Sequence, residues 1–246
     1  MPYRSLVAKL GTIADLRESD LASLIAICHD VRTVQAKRDI LVEGERPEDV
    51  HVILEGWAAR YKTLSDGSRQ IVAFLIPGDF CDLHVAILGH MDHGIIALTR
   101  VRLAYIPSRE LDALTSNHNG LTKALWWATL VDESILREWI LNVGRRDARE
   151  RVAHLLCELH ARMELIGLVD GKRLALPLTQ EQLADATGLT SVHVNRTLQE
   201  LRRDGLIELE RKQLQILDLE RMMDISMFNA NYLHLDHEGR HLDANT

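Results

Sequence analysis

The spacing of apolar residues divides the chain into three regimes. From about residue 20 to 115 they fall in short β-rich runs. An example is "DILVEGERPEDVHVILEGWAARYKTLSDGSRQIVAFLIPGDF", broken at Gly44, Pro47, Gly56, Asp66-Gly67 and Pro77-Gly78. Turn signals at intervals of roughly 8–12 residues predict an all-β sandwich or barrel. Asp66-Gly67 has the chemistry of a hairpin turn, because glycine reaches positive φ at little cost.

The period changes near residue 118. In "GLTKALWWATLVDESILREWILNVGRR", Leu121, Leu125, Ala128, Val131, Ile135, Trp139 and Val143 recur at the three- and four-residue steps of a helix face. Trp126, Leu130, Leu136 and Ile140 add a second apolar surface. A helix apolar on more than one side must be covered on more than one side. Two arrangements satisfy this: a core helix inside one chain, or a helix that packs on its own β-domain and on a symmetry mate. The second, preferred, assigns Leu125, Ala128, Val131, Ile135, Trp139 and Val143 to dimerisation. Gly144-Arg145-Arg146-Asp147 is a charged break suited to a hinge. A further helix is predicted over 148–166, with Val152, Leu155, Leu156, Leu159 and Met163 on one face. "GLVDGKRLALP" then reads as a loop and a short strand.

The third regime is "LTQEQLADATGLTSVHVNRTLQELRRDGLI", residues 178–207. Thr179 with Gln182 makes a capping box, in which each side chain satisfies the other residue's free amide. Gly188 allows a sharp turn, and Thr190 or Ser191 caps a second helix whose inner face carries Val194, Leu198 and Leu201. Ala184, Gly188 and Val194 place a small residue at the crossing, glycine at the turn and a branched residue as a lock, the spacing of a helix-turn-helix. The second helix then exposes Ser191, Val192, His193, Asn195, Arg196 and Gln199. Polar groups near its start, with Thr179, Gln180 and Thr190, can meet phosphates and base edges of double-stranded DNA; Arg196 suits guanine through paired hydrogen bonds. "LIELERKQLQIL" reads as two strands around Arg211-Lys212, a wing able to touch phosphates.

Composition tempers this picture. The net charge is −7, and across 178–217 acidic residues match basic ones, so non-specific DNA binding should be weak and specific binding salt-sensitive. No run of about 18 apolar residues predicts a membrane span, and "MPYRSLVAKLGTIADLRESD" lacks a secretory pattern. Three scattered cysteines, Cys28, Cys81 and Cys157, argue against a disulfide framework and fit a reducing cytoplasm.

A β-domain, a long helix and a winged helix-turn-helix, in that order, resemble the CRP/FNR family of transcription regulators. The resemblance spans nearly the whole chain and is carried by "LVEGERPEDVHVILEGWAARY", "PGDFCDL" and the 178–207 stretch. It implies an α+β chain: a double-stranded, cyclic-nucleotide-binding-like β-roll over 1–117, a dimerisation helix and hinge over 118–146, and a winged helix-turn-helix with its tail over 147–246. It also implies a homodimer whose recognition helices enter successive major grooves of a near-palindrome, a roll that reports through the long helix, and RNA polymerase as a further partner.

Departures narrow the effector. Members that bind cyclic AMP carry glycine-glutamate after the phenylalanine of "GDF" and a later arginine followed by serine or threonine; here Asp82 and Leu83 stand at the first place, and no arginine lies near Met91 to His93. The effector is therefore expected not to be cyclic AMP by the usual contacts. An iron–sulfur cluster would need four thiolates, and only Cys28 lies on the N-terminal side. In the recognition helix Val192, Asn195 and Arg196 fall where relatives often carry glutamate, serine or glycine, and arginine, so the target sequence should differ from the usual one.

Cys81, Asp82 and His84 are the effector candidates. Cys81 and His84 lie where the family's haem-containing carbon monoxide sensors place a cysteine and a histidine, and Pro2 matches those sensors' N-terminal proline. The competing reading makes Cys81 a small buried hydrophobe, and the cofactor stays unassigned. His84, His90, Asp92 and His93 have metal-ligand chemistry but sit around the turn "GHMDHG" and read as solvated, as do His234, His237 and His241 in the tail, so no metal site is assigned. The alternative to a regulator is a cupin-like, metal-dependent enzyme with an auxiliary helical domain. That reading needs histidines converging in one barrel.

Overall fold

The computed structural model describes residues 3–13 and 16–235. Among these, one compact unit takes the residues up to Lys62, those from Ala73 to Glu133 and those from His234 on; the other takes Thr63–Val72 and Ser134–Leu233. Pro2, His237 and His241 lie outside the described residues.

The first unit is the β-roll. Helices α1 (Arg4–Ile13) and α2 (Glu18–Ile27) precede strands β1 (Asp30–Val34), β2 (Asp39–Leu41), β3 (Asp49–Glu55), β4 (Ala58–Thr63) and β5 (Arg69–Leu75). The short helix α3 (Val85–Leu88), β6 (Gly94–Ala97), β7 (Val101–Pro107) and α4 (Ser108–Asn117) follow. The region read as strands and turns from about 20 therefore begins with a helix, and its end near 115 is one too. β1, β7 and β3 form one antiparallel sheet, with Val50 opposite Ile106 and Val52 opposite Ala104. The other sheet runs β2-β6-β4-β5. Both faces of β3 are covered. Ile53, Leu103, Cys81 and Ile95 fill the interior of the roll, while Val50, Val52, Ala104 and Ile106 meet Leu6, Leu10, Leu24 and Leu111 of the helices. Two-sided burial erases the in–out alternation that usually marks a strand.

Gly78 in "PGDF" is held at φ +92°, and a Cβ there would stand 2.7 Å from the carbonyl oxygen of Ser5 in α1, so only glycine fits. The next residue, Asp79, is buried, accepts from the Ile76 amide at 2.9 Å and pairs with Lys9 of α1. This part of the family resemblance thus docks the N-terminal helix.

Helix α5 (Asn119–Arg145) begins in the first unit and ends in the second. Leu121, Ala124, Leu125 and Ala128 belong to the apolar core of the roll. Ile135 and Trp139 are buried further along, and Trp139 donates its indole N–H to Glu158. Leu125, Ala128, Ile135 and Trp139 are consequently sealed inside this chain and unavailable to a symmetry mate. The apolar side chains that α5 leaves exposed are those of its second surface, Trp126 (69%), Leu130 (53%), Leu136 and Ile140 (75%), together with Leu141 and, from the first face, Val143. Val131 is half-buried.

In the second unit α6 (Ala148–Leu165) starts at a capping box of Asp147 and Glu150. It is followed by β8 (Val169–Asp170), β9 (Arg173–Ala175), α7 (Gln180–Thr187), α8 (Ser191–Arg203), β10 (Ile207–Glu210), β11 (Gln213–Ile216), α9 (Leu219–Ser226) and a 3₁₀ turn (Ala230–Leu233). The loop and single strand expected from "GLVDGKRLALP" are a two-strand hairpin, which extends the sheet to the order β10-β11-β9-β8. The expected charged break after α5 contains Arg146, which is buried and bonded to Glu138 at 2.7 Å and to the Ser226 carbonyl at 3.0 Å.

α6 is buried on its polar side as well as its apolar one. Glu158, fully buried, accepts from Trp139 Nε1 (3.0 Å), the Tyr232 hydroxyl (3.0 Å) and Arg162 (3.3 Å). Burial raises its pKa, and Arg162 and the donated hydrogen bonds oppose that rise. His154 stacks on Tyr232, and burial, then the Arg146 charge, lowers its pKa to about 3. Glu138 lies 3.2 Å from His154 but is already engaged by Arg146.

Candidate functional site

The helix-turn-helix is built as its spacing predicts. Thr179 accepts from the Gln182 amide at 3.1 Å, and Gln182 accepts from the Thr179 amide at 2.9 Å. Gly188 ends α7 in the left-handed region at φ +64°, where a side chain would be strained. Thr190, not Ser191, caps α8, accepting from the His193 amide at 3.2 Å. Leu183, Ala184, Val194, Leu198 and Leu201 are buried between the helices.

That packing fixes which side chains α8 turns outward. Ser191, Val192, His193, Arg196 and Gln199 are exposed, as are Thr179, Gln180 and Thr190. Val192, at 78% exposure, is an apolar side chain with no cover in this chain. Arg196 is held only loosely, its Nε 3.9 Å from Glu200. Asn195 departs from full exposure: it is half-buried, and its side-chain oxygen accepts from Gln199 at 2.9 Å. Other cations of this unit are engaged within the fold. Arg149 pairs with Asp204 at 2.7 Å, Arg151 donates to the Thr187 carbonyl at 2.7 Å, and Arg202 donates to the Leu209 carbonyl at 3.1 Å.

Between β10 and β11, Arg211 and Lys212 form the hairpin turn with φ of +48° and +62°. A two-residue turn with both residues at positive φ suits the strand twist and ordinarily selects Asn-Gly. Two long cations there carry local backbone strain and present both charges to solvent.

The chain's relatives agree with this geometry. Residues 31–118 match the family model for a cyclic nucleotide-binding domain, and residues 150–225 the model for a Crp-like helix-turn-helix domain. The transcriptional activator protein FnrL of Cereibacter sphaeroides is 31% identical over 211 residues, covering 83% of each chain. The chain belongs to the CRP/FNR family of transcription regulators. Another relative of this CRP/FNR chain, the nitrogen fixation regulation protein FixK of Bradyrhizobium diazoefficiens, is 30% identical across 69% of it and 70% of the relative. The structure of FixK2 from Bradyrhizobium japonicum matches with a TM-score of 0.74 at 26% identity, over 82% of this chain and 98% of that one. This chain is thus a DNA-binding transcription regulator of CRP/FNR type, not an enzyme, and the cupin-like alternative falls. No helix among the described residues is long and apolar enough to cross a membrane.

The structure separates the three effector candidates. Cys81 is fully buried in the apolar interior of the roll, and burial holds its thiol pKa well above the usual range. A haem needs a thiolate or another free ligand on that side, so the Cys81/His84 pair does not fit one. Asp82 is fully buried as well. It accepts from the backbone amide of His51 at 2.7 Å and lies 2.6 Å from His51 Nδ1, an anchor rather than a ligand contact. Among the described residues, His84 alone of the three candidates belongs to a cluster of three metal-capable side chains, and its neighbours Asp92 and His93 come from the far end of the same loop. His93 is buried at 9% exposure and His84 half-buried, so neither is the solvated loop side chain expected, whereas His90 is exposed.

Sequence reasoning passed over Arg60. Its guanidinium donates to the carbonyls of Phe80 (2.9 Å) and Cys81 (3.1 Å) and bonds Asp132 of α5 at 3.0 Å. The "PGDFCD" segment and the first half of α5 are tied through this one side chain. An arginine at the half-buried position that follows Ala58-Ala59 was the available signal; its partner in a distant helix was not.

Proposed function

We propose that this regulator is a cytoplasmic homodimer that binds a near-palindromic site in double-stranded DNA. In this reading α8 of each protomer enters the major groove, Arg196 and Val192 read bases, Ser191, His193 and Asn195 contribute near the helix start, and Thr179, Gln180, Thr190, Gln199, Arg211 and Lys212 meet the backbone. The observation that carries it is the outward set of α8, two capped helices holding Ser191, Val192, His193 and Arg196 in solvent. An arginine and an apolar side chain on one helix suit guanine and the thymine methyl respectively. The roll responds to an effector other than cyclic AMP by the usual contacts and reports through α5, and contact with RNA polymerase follows the role that FnrL's name gives it as an activator. Selection from random DNA by the purified protein, with no added ligand, tests the reading. Enrichment of a palindrome with half-sites about 10–11 base pairs apart supports it; enrichment of no sequence, with or without cell extract as a source of effector, overturns it.

The dimer contact is assigned to the exposed apolar residues of α5, Trp126, Leu130, Leu136 and Ile140, rather than to the buried set. Ile140→Asp is expected to yield folded monomers by sedimentation, because the charge falls on a surface that only a partner covers. The adjacent Trp139→Asp instead lowers the melting temperature by placing an unpaired charge in the core. A stable Ile140→Asp dimer refutes the assignment.

The wing yields a paired prediction. Arg211→Asn with Lys212→Gly relieves two positive-φ side chains and should stabilise the fold by about 1 kcal/mol. The same change removes two phosphate-facing charges, so the slope of log K against log salt should shrink by about 2 per half-site. Calorimetry and salt-titrated binding read the two effects separately. An unchanged salt slope rules out phosphate contacts by the wing.

A further inference from the structure

The loop between "PGDFCDL" and β6 holds donor groups that the DNA-binding reading leaves unused. His84 precedes α3, and Asp92-His93 directly precede β6. One donor atom from each of these three lies within 4.8 Å of the others. The two imidazole rings face each other with centroids 5.3 Å apart, tilted by 36°. His93 Nδ1 is 2.7 Å from Asp92 Oδ1, and His84 Nε2 is 3.9 Å from that same oxygen. Nε2 of His84 and Nε2 of His93 are both shielded from solvent, and neither has a hydrogen-bond partner among the described residues.

Two buried ring nitrogens without partners in one small cluster require an explanation, since buried polar atoms are nearly always satisfied. Donation of the His93 Nδ1 proton to Asp92 leaves a lone pair on Nε2, as in the carboxylate–histidine pairs that orient metal ligands. The neighbouring cations do not bar a metal: Lys62 pairs with Glu43 at 2.6 Å, and Arg60 with Asp132 at 3.0 Å. We propose that His84 and His93 hold one divalent transition ion of the zinc class through Nε2 of each ring, with Asp92 orienting His93 from Nδ1 and water filling the open positions. Zinc–nitrogen bonds of roughly 2.0–2.1 Å place tetrahedral donors about 3.4 Å apart, so binding sets the two Nε2 atoms at that separation. The ion would fasten the segment after Cys81 to the start of β6, making the order of this part of the roll depend on metal.

The test uses untagged full-length protein, stripped with chelator and titrated with Co²⁺, read by its visible ligand-field bands and by competition with Zn²⁺. One equivalent per chain is expected. His84→Ala and His93→Ala should each weaken binding by more than the roughly 10–100-fold that loss of an outer-shell partner brings. His90→Ala, and His237→Ala with His241→Ala in the tail, should leave the site intact. Unfolding of each variant in chelator is compared with wild type, and His84→Gln carries the test if the substitution at buried His93 does not fold. Cobalt binding that survives the His84 substitutions, that is lost with the tail histidines, or that never reaches one equivalent overturns the assignment.

Discussion

Arg196→Ala is expected to weaken binding to a selected operator by between roughly 30-fold and 10⁴-fold. A bidentate arginine–guanine contact is worth about 1–3 kcal/mol of discrimination, and a two-fold dimer loses it twice. The structure leaves this side chain free to make such a contact: it points out of α8, and its one tether, Glu200, is 3.9 Å away. The loss should be sequence-dependent. At operators with the guanine replaced, the variant and the wild type should bind alike, since neither has a contact to lose. Lys212→Ala, by contrast, should weaken binding to every sequence by a similar factor. Equal affinity of the Arg196 variant and the wild type for the selected operator removes Arg196 from base recognition and leaves Val192 and the polar residues at the start of α8 to carry specificity.

The helix-turn-helix was legible because its determinants are local. A capping box at Thr179 and Gln182, glycine in the left-handed region at position 188, and Val194 locked inward all act within a few residues. The roll was legible as a class but not in its helices. α2 and α4 are short and flank the strands, and two-sided burial of β3 removes the alternation that would have marked where strands begin. What covers the apolar face of α5 was hidden for a related reason. The period of α5 shows that Leu125, Ala128, Ile135 and Trp139 share a side, but not whether this chain or a partner covers it. The roll core packed on Leu125 and Ala128, and Glu158 reaching Trp139 from another helix, decide the matter. The same holds for His93, whose turn-like sequence conceals a buried ring, and for Arg60, whose partner Asp132 lies 72 residues away.

The largest stability effect is expected at Glu158. It is fully buried on the side of α6 that a sequence reading gives to solvent, because α9 and the 3₁₀ turn cover it. Glu158→Ala removes an acceptor from the indole N–H of Trp139 and the hydroxyl of Tyr232 and, above all, a charge partner from the guanidinium of Arg162, which is only 9% exposed. Removing one member of a buried charge pair typically costs about 3–5 kcal/mol, which in a protein of this size lowers the melting temperature by on the order of 10 °C. Glu158→Gln keeps one acceptor oxygen for Trp139 and Tyr232 but turns an amide donor toward Arg162, so its cost should be smaller than that of alanine without vanishing. The hydrogen-bond partners of the Glu158 carboxylate lie on α5, α6 and the 3₁₀ turn, so below its own melting temperature the alanine variant should bind the selected operator with wild-type affinity. A loss of stability under about 1 kcal/mol would mean that Arg162 finds water once Glu158 is gone, and that the network is ornament to an apolar core. The expected result makes it the polar clamp that holds the C-terminal helices against α6, and through α6 the frame on which α7 and α8 are set.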